Sequence, residues 1–214
     1  MKYRGRLIAM SITLFVHTAY IIIYYFRVGR VDIMDLLVYP LFAAVAYWAG
    51  YQYDKAVYYS EKDALTNLYN RRFVLASFDR IGAVASRTNS QLFILLMDCD
   101  NFKDINDAYN HQTGDRVLQR ISHILQLSTR KVDIVSRWGG DEFLILGQYK
   151  DASGVEVLVN RIQKEIRALS DELGFRVSLS IGCAVYNERE HKDLSSLIKA
   201  ADEHMYSSKL SKKN

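Results

Sequence analysis

The sequence predicts an α/β fold, an α+β sandwich in which helices flank a central, mainly antiparallel sheet, preceded by two apolar helices. Three observations predict this architecture. Short apolar runs such as 92–97 have the length of buried strands. Longer segments such as 114–128 repeat apolar residues at spacings of three and four, as one face of a helix does. Two adjacent glycines, Gly139 and Gly140, separate two strand-like runs and predict a hairpin with paired positive φ angles.

The order of the elements supports the sandwich. Helices are predicted over 70–86, 114–128, 154–173 and 193–209, and strands within 90–97, 133–138, 141–146 and 177–186. Helices that alternate with strands around a central hairpin give a sheet of mixed order. We therefore expect one folded domain over 63–214.

The first 53 residues predict a membrane anchor. The stretches 7–26 and 36–53 contain no Asp, Glu, Lys or Arg, and about 20 apolar residues span a bilayer as a helix. The first stretch is too long for the apolar core of a secretory signal. A buried helical hairpin of a soluble protein is the alternative that composition leaves open. Residues 54–62 are the expected linker.

Charge predicts the orientation of the anchor and limits the partners. Lys2, Arg4 and Arg6 precede the first span, and positive residues favour the cytoplasmic side. Two spans return the chain to that side, so we expect the C-terminal domain in the cytoplasm. That domain is almost neutral, which argues against a nucleic-acid polymer as partner. Cys99 and Cys183 lack metal-site spacing and are expected to be reduced thiols.

Two acidic sites carry the strongest chemical signal. Asp98 and Asp100 follow an apolar run, and residues two apart on a strand share a face. Asp141 and Glu142 follow the paired glycines. Taken singly, the first pair fits a polar strand end and the second a solvated turn. Together they favour a site for Mg²⁺, which is commonly held by one or two carboxylates plus substrate phosphates.

The motifs along the chain resemble those of the GGDEF family, the diguanylate cyclases. The similar segments are Asp-Ala-Leu-Thr-Asn-Leu-Tyr-Asn-Arg-Arg at 63–72, Asp-Cys-Asp-Asn-Phe-Lys-Asp-Ile-Asn-Asp at 98–107, His-Gln-Thr-Gly-Asp at 111–115, Arg-Trp-Gly-Gly-Asp-Glu-Phe at 137–143, Ser-Ile-Gly-Cys-Ala at 180–184, and Ala201, Asp202, Tyr206 and Lys209. The resemblance covers about 61–214. Asn67 and Asn110 stand where the family usually has glycine.

The resemblance implies a fold related to the palm of nucleotide cyclases and polymerases. It also implies a reaction in which two GTP molecules become cyclic di-GMP and two pyrophosphates, with Mg²⁺ or Mn²⁺ as cofactor. One domain holds one GTP, so a homodimer is expected. With the predicted anchor, the expected location is the inner membrane of a bacterial cell, as a multi-pass protein with a cytoplasmic catalytic domain.

The resemblance further implies which residues form the active site. Asp98, the carbonyl of Cys99, Asp141 and Glu142 would bind the metal. Asp141 and Glu142 would be catalytic, with Asp141 as the base that assists the 3′-hydroxyl, although coupled carboxylates need not have separable roles.

The substrate-binding set implied by the family comprises Phe102, Lys103, Asn106, His111, Asp115, Gly139, Gly140, Lys209 and Lys213. The main chain at Phe102 and Lys103 and the two lysines near the C-terminus would hold phosphates, and Asn106 with Asp115 would read guanine. The glycines would let the backbone approach the nucleotide. Two alternatives stay open, a capping or packed role for His111 and a solvated basic tail for Lys209 and Lys213.

A second nucleotide site is implied by Arg130 and Asp133, at the family's spacing for an inhibitory site that binds the product cyclic di-GMP. Arg161 is a secondary contact of that site. The alternative for this pair is a surface ion pair. Three functions compete for the whole chain: an active cyclase, a weak or inactive GGDEF domain that binds cyclic di-GMP or GTP, and a membrane scaffold for other proteins.

Overall fold

The computed structural model describes residues 3–149, 153–187 and 193–211. The chain divides into two compact units, Met1–Ser60 and Glu61–Asn214. The first contains the predicted apolar helices, and the second contains the sheet with its flanking helices.

The N-terminal unit is a pair of long helices. Helix α1 spans Arg4–Val28 and α2 spans Ile33–Glu61, and both are long and apolar enough to cross a membrane by length and composition. The segment 54–61, expected as a linker, is helical and continues α2. Gly5 and Gly50 allow close packing, because a Cβ on Gly50 would meet the backbone of α1 within 2.5 Å. His17 is buried, and its Nε2 lies 3.0 Å from the carbonyl oxygen of Asp35.

The second unit is built on a five-stranded sheet in the order β1-β3-β4-β2-β5. Its strands are β1 (Tyr69–Asn70), β2 (Gln91–Cys99), β3 (Ile134–Arg137), β4 (Glu142–Tyr149) and β5 (Leu179–Val185). Its helices are α3 (Arg71–Arg87), α4 (Phe102–Tyr109), α5 (His111–Ser128), α6 (Ser153–Leu173) and α7 (Leu194–Ser211). Among the described strands, β1 and β3 pair in parallel and the other pairings are antiparallel. The predicted sandwich is confirmed.

Two apolar layers enclose the sheet. Helices α4, α5 and α6 pack on one face, and α3 and α7 pack on the other. Strand β2 shows how the sequence divides between them. Phe93, Leu95, Met97 and Cys99 lie in the first layer, whereas Leu92, Ile94 and Leu96 lie in the second. This alternation, which follows from the two-residue period of a strand, places Asp98 on the α3–α7 face.

Helix α7 lies against β5, the strand at the edge of the sheet. A Cβ on Gly182 would overlap the carbonyl oxygen of Ala201 and lie 2.6 Å from the backbone nitrogen of Met205. The N–H of Cys183 donates to Nδ1 of His204 at 3.0 Å, so a side chain of α7 also engages the backbone of β5. Because residue 182 has no side chain, α7 can pack directly on the backbone of β5, and this contact sets the distance between the helix and the sheet.

Replacing Gly182 by alanine tests this contact. Because backbone atoms of α7 occupy the space of the new methyl group, we expect a loss of about 1–3 kcal/mol in the free energy of unfolding, the usual cost of overpacking. The measurement is urea unfolding of the whole chain. Gly82→Ala is the matched control, because nothing lies within 4 Å of its Cβ position, and it should gain about 0.5–1 kcal/mol as a helix-interior alanine. Equal stabilities of the two variants would contradict the packing described.

Candidate active site

The centre of the site is a pair of carboxylates on neighbouring strands. Asp98, near the end of β2, is directly opposite Glu142, the first residue of β4. Directly opposed residues of an antiparallel pair point to the same face, so both side chains lie on the α3–α7 side. Lys209 of α7 reaches this pair, and its Nζ lies 2.5 Å from Oδ1 of Asp98. Three separate elements thus meet at one end of the sheet.

Negative charge exceeds positive charge around this pair. Burial raises the pKa of Glu142, and the charges of Asp98, Asp141 and Asp202 raise it further. Burial also raises the pKa of Asp98, with Lys209 opposing the rise and neighbouring carboxylates adding to it. Mutual repulsion of half-buried carboxylates is relieved by a cation.

The donor set suits a hard divalent cation that also binds phosphate. Among the described residues, no three His, Cys, Asp or Glu side chains converge as a metal cage, and Asp98 is paired with Lys209. Mg²⁺ does not need such a cage, because it is usually held by one or two carboxylates together with waters and substrate phosphates. The carboxylates of Asp98 and Glu142 therefore fit Mg²⁺ with a bound nucleotide.

The side chains of Cys99 and Asp100 make contacts outside the carboxylate pair. The Cys99 side chain lies in the apolar layer under α4–α6, on the opposite face of the sheet from Asp98, and burial raises the pKa of its thiol to about 12. Its main chain faces the site, since its N–H donates to the Asp141 carbonyl at 3.1 Å. Asp100 accepts hydrogen bonds from Ser178 at 2.7 Å and Ser180 at 2.5 Å.

The paired glycines form the predicted hairpin but not in the predicted conformation. Among the described glycines, Gly29 and Gly174 have positive φ, so the expectation of positive φ at Gly139 and Gly140 was wrong. A Cβ at 139 would overlap the carboxylate of Glu142, so a side chain there would displace that carboxylate. At Gly140 a Cβ would meet nothing within 4 Å, which leaves the backbone open to an approaching molecule.

Arg137 braces this turn. Its Nη2 and Nε donate to the Gly140 carbonyl at 2.7 and 3.0 Å, and its Nη1 donates to Asp63 at 3.1 Å. Asp63 also accepts from the N–H and hydroxyl of Thr66. Partial burial alone would raise the pKa of Asp63, but the donors from Thr66 and Arg137 outweigh it and hold that pKa below its ordinary value. The first residue of the domain's opening motif is thereby tied to the Gly-Gly turn.

The two departures from the family pattern occupy left-handed or related conformations. Asn67 has φ 56° and Asn110 has φ 90°. The φ of Asn67 lies in the left-handed range, which asparagine tolerates better than most residues. Asn110, with ψ 164°, lies in a region that is nearly restricted to glycine and is strained for other residues. Asn110 adds a function, because its side chain accepts from the N–H of Thr113 at 3.0 Å and caps α5. Asn67 is therefore compatible with the fold, and the capping bond of Asn110 offsets part of the strain at that position.

The predicted guanine-reading residues lie on α4 and α5. Oδ1 of Asn106 is buried and has no hydrogen-bond partner among the described residues. It lies where a Cβ of Gly114 would be, which explains glycine at that position. Asp115 follows on the exposed side. His111 is exposed at the start of α5, and the cap is Asn110 rather than His111.

The predicted phosphate-binding residues are distributed between two helix ends. Phe102 and Lys103 begin α4, whose N-cap residue Asn101 makes no side-chain capping bond, so first-turn N–H groups are not capped by it. Lys209 lies in the last turn of α7 against Asp98. Lys213 lies outside the described residues.

Arg130 and Asp133 form a tight turn between α5 and β3. The N–H of Arg130 donates to Oδ2 of Asp133 at 2.9 Å, and the N–H of Asp133 donates to the Arg130 carbonyl at 3.0 Å. In this described turn the two side chains make no ion pair, and Arg130 is exposed to solvent. Arg161 of α6 donates to the carbonyl of Ser128 at the end of α5. The inhibitory role of the three residues stays a prediction.

Two charged residues near the acids were not assigned a role from sequence. Asp202 of α7 and Arg71 of α3 both act on the charge of Glu142. Arg71 belongs to the motif segment at 63–72 and Asp202 to the segment at 201–209. Their position in these motifs is the one feature of the sequence that could have indicated a role at the site. Arg137 likewise belongs to the motif at 137–143, but its local sequence predicts no role for it.

The sandwich with its acidic edge falls in a known class of nucleotide-signalling domains. Residues 60–214 match the sequence profile described as "Diguanylate cyclase, GGDEF domain". The chain belongs to the GGDEF family.

Characterised relatives share the same domain. Diguanylate cyclase DosC of Escherichia coli K12 is 40% identical over 152 residues, 69% of this chain and 32% of DosC. Diguanylate cyclase DgcS of Shewanella oneidensis is 32% identical over 183 residues, 86% of this chain and 59% of DgcS. The crystal structure of the GGDEF domain of DgcB from Caulobacter crescentus with c-di-GMP is 27% identical, with a TM-score of 0.64, and the match covers 71% of this chain and 89% of that chain. The chain spans about a third of the length of DosC.

Arg137→Ala tests the brace of the Gly-Gly turn. The substitution removes the hydrogen bonds from Arg137 to Gly140 and Asp63. The side chain of Arg137 is 17% exposed and that of Asp63 is 23% exposed, so this ion pair is mostly buried. We expect a loss of about 1–3 kcal/mol in the free energy of unfolding, measured by urea denaturation. Arg120→Ala is the control, because it breaks a shorter ion pair with Glu172 whose side chains are exposed, and it should cost under about 1 kcal/mol. A smaller loss of unfolding free energy for Arg137→Ala than for Arg120→Ala would show that Arg137 does not stabilise the turn.

Proposed function

We propose that this protein is a diguanylate cyclase that condenses two GTP molecules into cyclic di-GMP and releases two pyrophosphates. The observation that carries the proposal is the register pair Asp98–Glu142. It brings two half-buried carboxylates together beside Lys209 and an open glycine turn, where a metal-bound triphosphate fits.

The metal of this reaction is Mg²⁺ or Mn²⁺, and its ligands would be Asp98, the carbonyl of Cys99, Asp141 and Glu142. When bound, it neutralises charge on the phosphates. Asp141 is the proposed acceptor of the 3′-hydroxyl proton. Lys209, which neutralises Asp98 here, would turn to the phosphates once a cation takes over that neutralisation. The main chain at Phe102 and Lys103 would donate to phosphate oxygens, because N–H groups at a helix start attract anions.

Base selection follows from Asn106 and Asp115. The amide of Asn106 can meet the edge of the base, and the carboxylate oxygens at 115 would accept from the N1–H and amino group of guanine. Adenine lacks the N1–H and the 2-amino group and would leave these acceptors unsatisfied. The substrate is therefore GTP rather than ATP, with His111 at the mouth of the site.

Two copies of the domain are required, because each holds one GTP and each 3′-hydroxyl attacks the other α-phosphate. The proposed active form is a homodimer of GGDEF domains. Helices α1 and α2 would anchor both copies in the inner membrane of a bacterial cell, with the catalytic domains in the cytoplasm. Confinement to a membrane raises the effective concentration of the partner domain.

Product inhibition is proposed at Arg130, Asp133 and Arg161. The exposed guanidinium of Arg130 offers a bidentate fork for phosphate or for a guanine edge. Support comes from the related DgcB domain, whose crystal structure is of a complex with c-di-GMP. The alternative function, a weak or inactive domain that only binds cyclic di-GMP or GTP, is less well supported because the acids and the Gly-Gly turn are retained.

Glu142→Gln tests the active site with little change in size. We expect synthesis of cyclic di-GMP from GTP and Mg²⁺ to fall at least about 100-fold, since a metal-binding carboxylate becomes neutral. Product is measured by chromatography with the detergent-solubilised whole chain. Glu156→Gln, an exposed change on α6, should retain the wild-type rate. Wild-type rates for Glu142→Gln would show the metal assignment to be wrong.

Arg130→Ala tests product inhibition. Cyclic di-GMP should slow the wild-type enzyme, and the variant should need at least about 10-fold more product for half inhibition, because each lost charged hydrogen bond costs about 1.5–3 kcal/mol. Lys131→Ala is the matched control, an exposed neighbour of the same charge, and should be inhibited like wild type. Equal inhibition of the Arg130 variant and the control would exclude this residue from the inhibitory site.

A further inference from the structure

Arg71 is held beside the Gly-Gly turn by a contact that leaves its hydrogen-bond donors available. It is the first residue of α3, and the capping residue Asn70 is paired with Arg137 across β1 and β3. This register brings Arg71 level with Trp138. The guanidinium carbon lies 4.6 Å from the centroid of the Trp138 ring. A cation–π contact of this kind holds the guanidinium over the ring without using its N–H donors in hydrogen bonds.

The edge of the guanidinium has no protein partner. Arg71 makes no hydrogen bond and no ion pair within residues 3–149, 153–187 and 193–211, and its side chain is exposed. Arg137, two residues before Gly139, contrasts with it, because its donors are bound to Gly140 and Asp63. One arginine therefore supports the turn, and the other presents free donors next to it.

The position of Arg71 is electrostatically part of the acidic site. Its charge acts on Glu142 in opposition to Asp98, Asp141 and Asp202. A cation in such a cluster commonly forms a salt bridge with a carboxylate, yet this one is held over a ring instead. Its planar fork matches the oxygens of a phosphate, which can accept two parallel hydrogen bonds. The open space at Gly140 leaves room for such a group.

We propose that Arg71 is a further catalytic residue, which binds phosphate oxygens of the nucleoside triphosphate at the Gly-Gly turn. This inference rests on the proposed cyclase function. In the reaction the 3′-oxygen forms a bond to the α-phosphorus and its proton passes to Asp141. The bond from the α-phosphorus to the bridging oxygen breaks, and that oxygen leaves with the pyrophosphate. Negative charge grows on the leaving group, and donors fixed in advance stabilise it.

The first test compares Arg71→Ala with Arg72→Ala in the detergent-solubilised whole chain. Arg72 is the matched control, because it is exposed in the same helical turn and has no contact with the site among the described residues. We expect kcat/KM for GTP to fall about 100-fold in Arg71→Ala, as for loss of one transition-state donor, and to stay within about twofold of wild type in the control. Arg71→Lys should recover only part of the loss, since an ammonium lacks the fork.

A binding measurement separates this inference from the proposed function. The probes are a non-reactive GTP analogue with Mg²⁺ and inorganic pyrophosphate, each titrated calorimetrically against wild type and the three variants. Weaker binding of both probes to Arg71→Ala alone supports the phosphate contact, even if the wild type makes no cyclic di-GMP and the cyclase proposal fails. Wild-type affinities and rates in Arg71→Ala, or full rescue by lysine, would overturn the assignment. Thermal unfolding of each variant establishes that it is folded.

Discussion

The structure depends on the antiparallel pairing of β2 with β4. Eight residue pairs join these strands, from Gln91 with Tyr149 to Asp98 with Glu142. Side chains alternate between faces, so a slip of one residue would exchange the two apolar layers and move Asp98 to the wrong side. Burial of both faces makes the register costly to change. The same pairing that organises the core therefore determines that two carboxylates meet.

Charge at the end of this pairing is stabilised by residues from both helices on that face. Lys209 of α7 contacts Asp98 directly, while Arg71 of α3 acts on Glu142 at longer range. Partly buried carboxylates without such partners would lose their charge more readily. The excess of acid over base remains after both cations are included, and this excess favours a bound divalent ion with its phosphates.

The periodic segments could be predicted from the sequence because their local pattern is strong. Helix α5 and strand β2 repeat apolar residues at the expected spacing, and both were recognised with small errors at the ends. The two-residue strand β1 leaves no periodic signal, and the continuation of α2 to Glu61 lacks one as well. The conformation of the Gly-Gly turn was mistaken because glycine was attributed to backbone dihedrals, whereas at Gly139 it makes room for a carboxylate.

The contacts that complete the site arise only when distant segments meet. Arg137 and Asp63 are 74 residues apart in the sequence, and Lys209 and Asp98 are 111 residues apart. A local sequence pattern therefore cannot predict either contact. Helix α7 has little freedom to carry Lys209 away, because backbone atoms of Ala201 and Met205 lie against Gly182. The proposed exchange of Lys209 between Asp98 and a phosphate would then occur by rotation of its long side chain. Under that proposal the helix stays in place, and the terminal ammonium of Lys209 would neutralise the carboxylate before the nucleotide arrives and the phosphate afterwards.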